Sequence, residues 1–281
     1  MIINGKEIRE RKINELIPKV EALPKKLTLA VIQVGNIEES NIYIAQKQKI
    51  CNTIGYLFKH IKYDDNVEKE ELINKIKELN NDKSITGILI QLPLPKHLDE
   101  KEILNNIDYR KDVDGLTDIN AGKLLHNKNC LVPCTPLGIT IILKELNIDL
   151  SSKNVVIVGR SNLVGKPLAN ILTNMDATVT LCHSKTKDLS KYTRNADILI
   201  SCTGKKFLIK EDMIKKDSII IDVGITRDAS GSIKGDVDFD NCKNKAKYIT
   251  PVPGGVGPLT VTSLALNLYN AYMLKEEEKW K

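Results

Sequence analysis

Apolar positions along the chain follow two periods in alternation. Ile8, Ile13, Leu16, Ile17 and Val20 recur at helical spacing, so 6–23 reads as an amphipathic helix with Pro18 an expected kink. LTLAVIQVG (27–35) is a continuous apolar run closed by glycine, the pattern of a strand buried on both faces. A helix over 40–54 follows and stops at Gly55. YLFKHIKY is a second strand, 67–79 a helix and ITGILIQ (85–91) a third strand. PLPKHLDE makes a proline-rich turn, a short helix is expected near 100–105, and 108–125 reads as a polar loop. VPCTPLGI (132–139) opens another helix, with Thr135 as N-cap and Pro136 at the first helical position, running to about Leu146. The second half repeats the alternation. NVVIVGRSNLVGKPLANIL (154–172) reads as strand, glycine-bearing turn and helix, and 177–185, 196–204 and 217–226 as three more strands. The segment 248–274 gives a last strand, a Pro/Gly loop and a long helix, and KEEEKWK a charged, frayed tail. Alternating strands and helices predict an α/β fold, doubly wound in its second half.

Composition narrows the classes without naming one. The 281 residues suit one large or two medium domains, and 42% hydrophobic with 28% charged residues is globular. The net charge of +6 is scattered and aromatic residues make up only 4%, so a nucleic-acid surface is not expected. Six cysteines form no CxxC pair and the four histidines have no ligand spacing, which fits reduced thiols in a cytoplasmic protein and no metal. MIINGKEIRERK lacks the apolar core of a signal peptide. The uncharged stretch 248–274 is interrupted by Pro251, Pro253, Gly254, Gly255, Gly257 and Pro258, so it predicts a buried loop and helix and no membrane span.

Four stretches carry candidate chemistry. At about 100° per residue, Tyr43, Lys47, Ile50 and Ile54 fall within about 60° of one another. Gln46, Lys49 and Asn52 point elsewhere. An amine on an apolar stripe must snorkel to water, meet an anion or lose its proton. The last suits a catalytic lysine; a packed stem with its head in water is the plainer reading of this helix alone. Gly159-Arg160-Ser161-Asn162-Leu163-Val164-Gly165 departs from GxGxxG, yet it follows a β-branched strand and opens a helix. The next strand ends in Cys182-His183-Ser184-Lys185, where an NAD enzyme carries an acid for the ribose hydroxyls. With Arg160 and Lys185 there instead, NADP is favoured over NAD, against the plainer reading of a tight turn with basic neighbours. Asp112, Asp114 and Asp118 lie close together, but EF-hand spacing and its closing Glu are absent. Asp112 and Asp114 are candidates to grip an amidine-like ligand edge, or are turn-formers bonding their own backbone. PVPGGVGP packs three glycines and three prolines into eight residues, either a rigid loop that lets a ligand approach or a plain helix entry.

Taken in order, YIAQKQKIC, GILIQLPLP, KDVDGLTDINAGKL, PCTPLGI, VGRSNLVGKP, CHSKT, ADILISCTG, IDVGI, GDVDF and TPVPGGVGPLT resemble the bifunctional methylenetetrahydrofolate dehydrogenase/cyclohydrolase family along nearly the whole chain. The resemblance implies an N-terminal α/β catalytic domain (1–138 with 259–281), completed by the C-terminal helix. It places a Rossmann-type NAD(P)-binding domain (139–258) between, with a folate cleft where they meet, and implies a homodimer. By position, Lys47 matches the catalytic lysine, Tyr43 the tyrosine one turn before it, Gln91 the glutamine that tunes it and Asp114 the acid that holds the pterin. Pro253, Gly254 and Gly255 match the folate-side loop. Gly159, Arg160, Ser161 and Ser184 match dinucleotide contacts, with Thr203 and Ile225 near the nicotinamide end. Leu259 stands where the family commonly has Met, and Pro18 interrupts the first helix. The implied activity is NADP-dependent oxidation of methylenetetrahydrofolate followed by hydrolysis to formyltetrahydrofolate. A monofunctional member, a two-domain dehydrogenase of a small acid and a non-catalytic folate or nucleotide binder are the rival expectations.

Overall fold

The first apolar repeat folds as α1 (Gly5–Glu21), one helix running through Pro18. The run after it is β1 (Thr28–Val34), buried from Leu29 onward. The computed structural model describes residues 1–228 and 231–278. α2 (Glu38–Ile54) ends where Gly55 adopts φ 91° and returns its N–H to Cys51, a conformation glycine takes at little cost. β2 (Leu57–Tyr63), α3 (Lys69–Asn81) and β3 (Gly87–Ile90) complete a parallel sheet of order β2-β1-β3.

Side chains alternate across this sheet, as the two-residue period of a strand requires. Leu29, Val31 and Leu89 join Ile44, Ile50 and Ile54 of α2 in one apolar cluster, together with Leu264 and Leu268. Ala30, Ile32, Ile88 and Ile90 join Leu72, Ile76 and Leu79 of α3 in another.

α4 (Glu100–Leu104) is capped by the Asp99 side chain. Inside 108–125, read as a loop, lies α5 (Asp118–Leu125), whose start is capped by the Thr117 side chain; its polar face and Gly122 hide the helical period. α6 (Cys134–Glu145) begins one residue before the expected cap. Thr135 Oγ1 lies 3.2 Å from Thr260 Oγ1.

β4 (Asn154–Val158), α7 (Gly165–Asn174), β5 (Thr178–Cys182), α8 (Leu189–Thr193), β6 (Ile198–Ser201) and β7 (Ile219–Asp222) build the second sheet. The strand expected over 217–226 stops at Asp222, where Gly224 donates its N–H to the Asp222 side chain. β8 (Thr226–Arg227) then pairs antiparallel with β9 (Ile233–Lys234). α9 (Phe239–Cys242), β10 (Tyr248–Ile249) and α10 (Gly257–Glu278) follow. All five strands of the large sheet are parallel, in the order β10-β7-β6-β4-β5. The order reverses at β4, so the carboxyl end of β4 is the topological switch point where such sheets bind ligands. Of the tail expected over 275–281, residues up to 278 continue α10, and 279–281 lie outside the described residues.

Contacts divide the chain into a first unit, Lys12–Cys134 with the chain from Val261 onward, and a second, Met1–Arg11 with Thr135–Thr260. Residues 1–11 thus differ from the expected 1–138 assignment. Ile2 bridges Ile249 in parallel, and Ile3 and Gly5 donate to the carbonyls of Ile249 and Gly254, which ties the chain start to the edge strand β10. No described helix is long and apolar enough to cross a membrane.

Candidate active site

In the first unit, α2 buries Ser40, Ile44, Ile50, Cys51 and Ile54, and Lys47 lies within that stripe. Its Nζ donates to Oε1 of Gln91 at 2.7 Å. Gln91 follows β3, is 8% exposed, and is fixed from both ends. Its backbone N–H donates to Ile32 O, and its Nε2 donates to Leu92 O at 2.7 Å, so the amide oxygen is turned to the lysine. Burial pushes the Lys47 pKa below its ordinary value, opposed by the nearby Asp114 carboxylate and the Cys134 sulfur.

Asp114 reaches this place through a bridge: Ile88 of β3 pairs with Asp112, and Ile88 N donates to Lys111 O at 2.7 Å. The two acids, equivalent in the sequence, divide here. Asp112 is 1% exposed, and its Oδ2 accepts from Thr117 N at 2.8 Å and Asn120 Nδ2 at 3.0 Å. Burial pushes its pKa up. Asp112 is thus the loop's internal brace, while Asp114 is half-buried. Asp118 opens α5 and pairs with Lys101 at 3.4 Å, so the three acids do not converge. Among the described residues no group of three or more His, Cys, Asp or Glu could hold a metal ion. Gly115, at φ 69°, is needed where the loop presses on its neighbour: a Cβ there would stand 2.6 Å from Pro133 N.

Two residues beside this cluster escaped the sequence reading. Cys134 is buried, and burial with the adjacent Asp114 charge holds its thiol well above the usual range. Asn267 of α10 is 1% exposed and donates from Nδ2 to Val113 O at 2.8 Å and Val132 O at 2.7 Å, with Cys134 Sγ 3.8 Å away. It clamps the chain segments on either side of the Asp114 loop. The signal available was a lone amide within the apolar run of the last helix, where a polar group needs a partner. Tyr43, by contrast, is 43% exposed and is linked to Lys47 through their shared helix.

In the second unit the remaining candidates gather at the carboxyl ends of adjacent strands. Gly159, Arg160 and Ser161 follow β4, Ser184 follows β5, Thr203 follows β6 and Ile225 follows β7. The register aligns Val158 with Cys182 and Ser201, and Ser201 with Asp222. Gly159 has φ 125°, and a Cβ on it would lie 2.6 Å from Cys202 Sγ and 2.7 Å from Cys202 O. Only glycine can therefore make this turn against Cys202. Ser161 Oγ accepts from Val164 N at 3.1 Å, shaping the entry to α7. Arg160, Ser161, Ser184 and Lys185 are exposed, a donor set with no carboxylate, suited to phosphate oxygens. Pro253, Gly254 and Gly255 follow β10; Gly254 O accepts from Gly5 N at 3.0 Å, and Gly255 N donates to Pro251 O at 2.9 Å.

Residues 3–114 match the family model for the tetrahydrofolate dehydrogenase/cyclohydrolase catalytic domain, and 133–276 that for its NAD(P)-binding domain. The chain belongs to the tetrahydrofolate dehydrogenase/cyclohydrolase family. Among members of this family it is 49% identical to the bifunctional protein FolD of Mycoplasma mycoides, over 99% of this chain and 96% of that one. The structure of the bifunctional enzyme FolD from Campylobacter jejuni superposes with a TM-score of 0.95 at 43% identity, covering 98% and 99% of the two chains. That of Trypanosoma brucei methylenetetrahydrofolate dehydrogenase-cyclohydrolase, complexed with NADP cofactor and inhibitor, gives 0.92 at 33% identity over 98% of each chain.

Proposed function

We propose that Lys47 is the proton-handling group of a bifunctional folate enzyme. The chain oxidises 5,10-methylenetetrahydrofolate to 5,10-methenyltetrahydrofolate with NADP and hydrolyses that product to 10-formyltetrahydrofolate. The observation that carries the lysine assignment is the 2.7 Å bond from Lys47 Nζ to a Gln91 oxygen held from behind, on an amine whose proton burial disfavours.

NADP supplies the hydride acceptor for the first step, and the protein's task there is to orient the partners. In our reading Gly159, Arg160, Ser161 and Ser184 bind the dinucleotide, with Arg160 and Lys185 suited to a 2′-phosphate, and Thr203 and Ile225 flank the nicotinamide end. In the second step water adds to the methenyl carbon, one of its protons passing to the neutral Lys47 amine. As the ring C–N bond breaks, the nitrogen takes a proton back and one proton is released overall. Gln91 keeps the amine in place, and Tyr43 lies on the same helix face. Asp114 takes the amidine-like edge of the pterin. Pro253, Gly254 and Gly255 are assigned to folate on the resemblance. On the same ground the enzyme is read as a cytoplasmic homodimer. The edge strand β2 and α2 leave Leu57 and Ile42 exposed at 49% and 45%, apolar surface that a second copy would cover.

The test supplies purified protein with methylenetetrahydrofolate and either nicotinamide cofactor, following NADPH formation and methenyl loss separately. Both activities are expected, with NADP preferred. Ligand binding without turnover would overturn the reading.

A further inference from the structure

Two buried carboxylates in the second unit play no part in the steps above. Asp222 ends β7 and Asp236 follows β9, at 3% and 0% exposure. Carboxylates so placed are costly unless donors satisfy them, and here the donors come from two neighbouring loops. Asp236 Oδ2 accepts from Ser201 Oγ at 2.7 Å, Thr203 N at 2.7 Å and Thr203 Oγ1 at 2.8 Å. Its Oδ1 accepts from Lys205 N at 2.8 Å. Asp222 Oδ1 accepts from Gly224 N at 2.9 Å and from Asp236 N itself at 3.0 Å, and Oδ2 from Val237 N at 2.8 Å. The loop carrying Thr203 therefore hangs on Asp236, Asp236 is seated on Asp222, and Asp222 also fixes the turn that leads to Ile225.

We infer that Asp236 is a positioning residue for the dehydrogenase step alone, setting the 203–205 backbone against which the nicotinamide end of the cofactor is held. This rests on the reading that Thr203 and Ile225 flank that end. A carboxylate is required because its two oxygens receive backbone N–H groups from opposite ends of the same short loop. An amide of the same shape must turn its NH2 toward either Thr203 N–H or Lys205 N–H. Hydroxyls can rotate to meet a new donor, but a backbone N–H cannot, so the loop has to shift. Lys47, the proposed hydrolytic group, belongs to the other unit, so hydrolysis reports on whether the rest of the enzyme is intact.

The experiment compares the full-length enzyme with Asp236→Asn and Ser201→Ala. Ser201→Ala removes a hydroxyl from the same oxygen while leaving both loop N–H groups bonded. For Asp236→Asn, kcat/KM for NADP is expected to fall about tenfold to hundredfold, the loss of a hydrogen bond to a charged group, with KM carrying most of it. Cyclohydrolase turnover should stay within about twofold, and Ser201→Ala, which leaves both loop N–H bonds in place, should keep both activities near the parent's while lowering the melting temperature. Parallel loss of both activities in Asp236→Asn would reduce Asp236 to a structural brace and overturn the inference, as would an unchanged KM. Should Asp236→Asn fail to fold, Asp222→Asn is read by the same criteria. NADPH binding, followed by the cofactor's own fluorescence, separates the two levels of the reading. A wild-type protein that binds NADPH but does not reduce NADP refutes the proposed function. Equal NADPH affinity in wild type and variant refutes the role of Asp236.

Discussion

Replacing Lys47 with Met keeps an unbranched four-atom stem and deletes the amine. Gln91 Oε1 then loses the donor held at 2.7 Å, a cost of about 1–3 kcal/mol if no water replaces it. The burial that disfavours the ammonium ceases to matter, which offsets part of that loss. Because the folded-state pKa lies below 10.5, the unfolded chain holds this proton more tightly. Wild-type stability therefore rises with pH from the lowered value up to the ordinary one, and Lys47→Met removes that rise. Near neutrality the variant should melt close to the parent, and near pH 10 below it. Hydrolysis should fall by about 10²- to 10⁴-fold, the usual worth of a positioned acid–base group, or about 3–5 kcal/mol at 1.36 kcal/mol per decade. NADPH formation should persist, since hydride transfer moves no proton through the lysine. The assay is single-turnover decay of added methenyltetrahydrofolate beside a melting curve. Full hydrolytic turnover in a well-folded Lys47→Met would refute the assignment.

Lys49, two residues on and exposed, is the matched control, and Lys49→Met should leave both activities within about twofold, as surface substitutions do. In wild type, hydrolysis should rise with pH along a limb whose midpoint lies below the ordinary lysine range, because only the neutral amine accepts a proton; a midpoint at 10.5 or above counts against the burial argument. Asp114→Ala should weaken folate binding measured by calorimetry, and unchanged affinity would remove its pterin role. Burial raises the Asp222 carboxyl to about 6 from 3.8, so the folded state holds its proton longer. Wild type should accordingly lose about 2 kcal/mol relative to Asp222→Asn as pH rises from 4 to 7, a slope that denaturant titrations can read.

What the sequence discloses depends on how local the deciding interaction is. The run from Leu29 to Val34 is legible as a buried strand because each face meets its own helix, so no polar alternation survives. The turn at Gly159 is legible because strand, glycine and helix are adjacent in the chain. By residue type and local pattern Asp112 and Asp114 are alike, and only the family resemblance tells them apart, since what separates them physically is the reach of Thr117 and Asn120 to one carboxylate. The pairing of Lys47 with Gln91 spans 44 residues and is foreseen only through the family resemblance. Asp236 is visible as a letter in GDVDF, but its donors arrive from the end of β6 and the loop after it, 31 to 35 residues earlier. Residues 1–11 are tied to the second unit by the Ile2 bridge to Ile249 and by backbone hydrogen bonds from Ile3 and Gly5 to Ile249 and Gly254, which no periodicity announces.

Asn267 reaches Val113 across 154 residues and Val132 across 135, and Val261, Leu264, Ala265, Leu268, Ala271 and Tyr272 fill the same apolar cluster as Leu29 and Val31. During synthesis, then, the unit that opens with Lys12–Cys134 can be finished only after the strands of the other unit have emerged. Its sheet and the Lys47 helix must wait with an open apolar face until the final helix leaves the ribosome, while the unit encoded between them already has every strand it needs. A chain released early would carry a complete dinucleotide-binding sheet and an unsealed hydrolytic half, so termination near residue 260 should yield a species that depends on chaperones and is cleared by proteases.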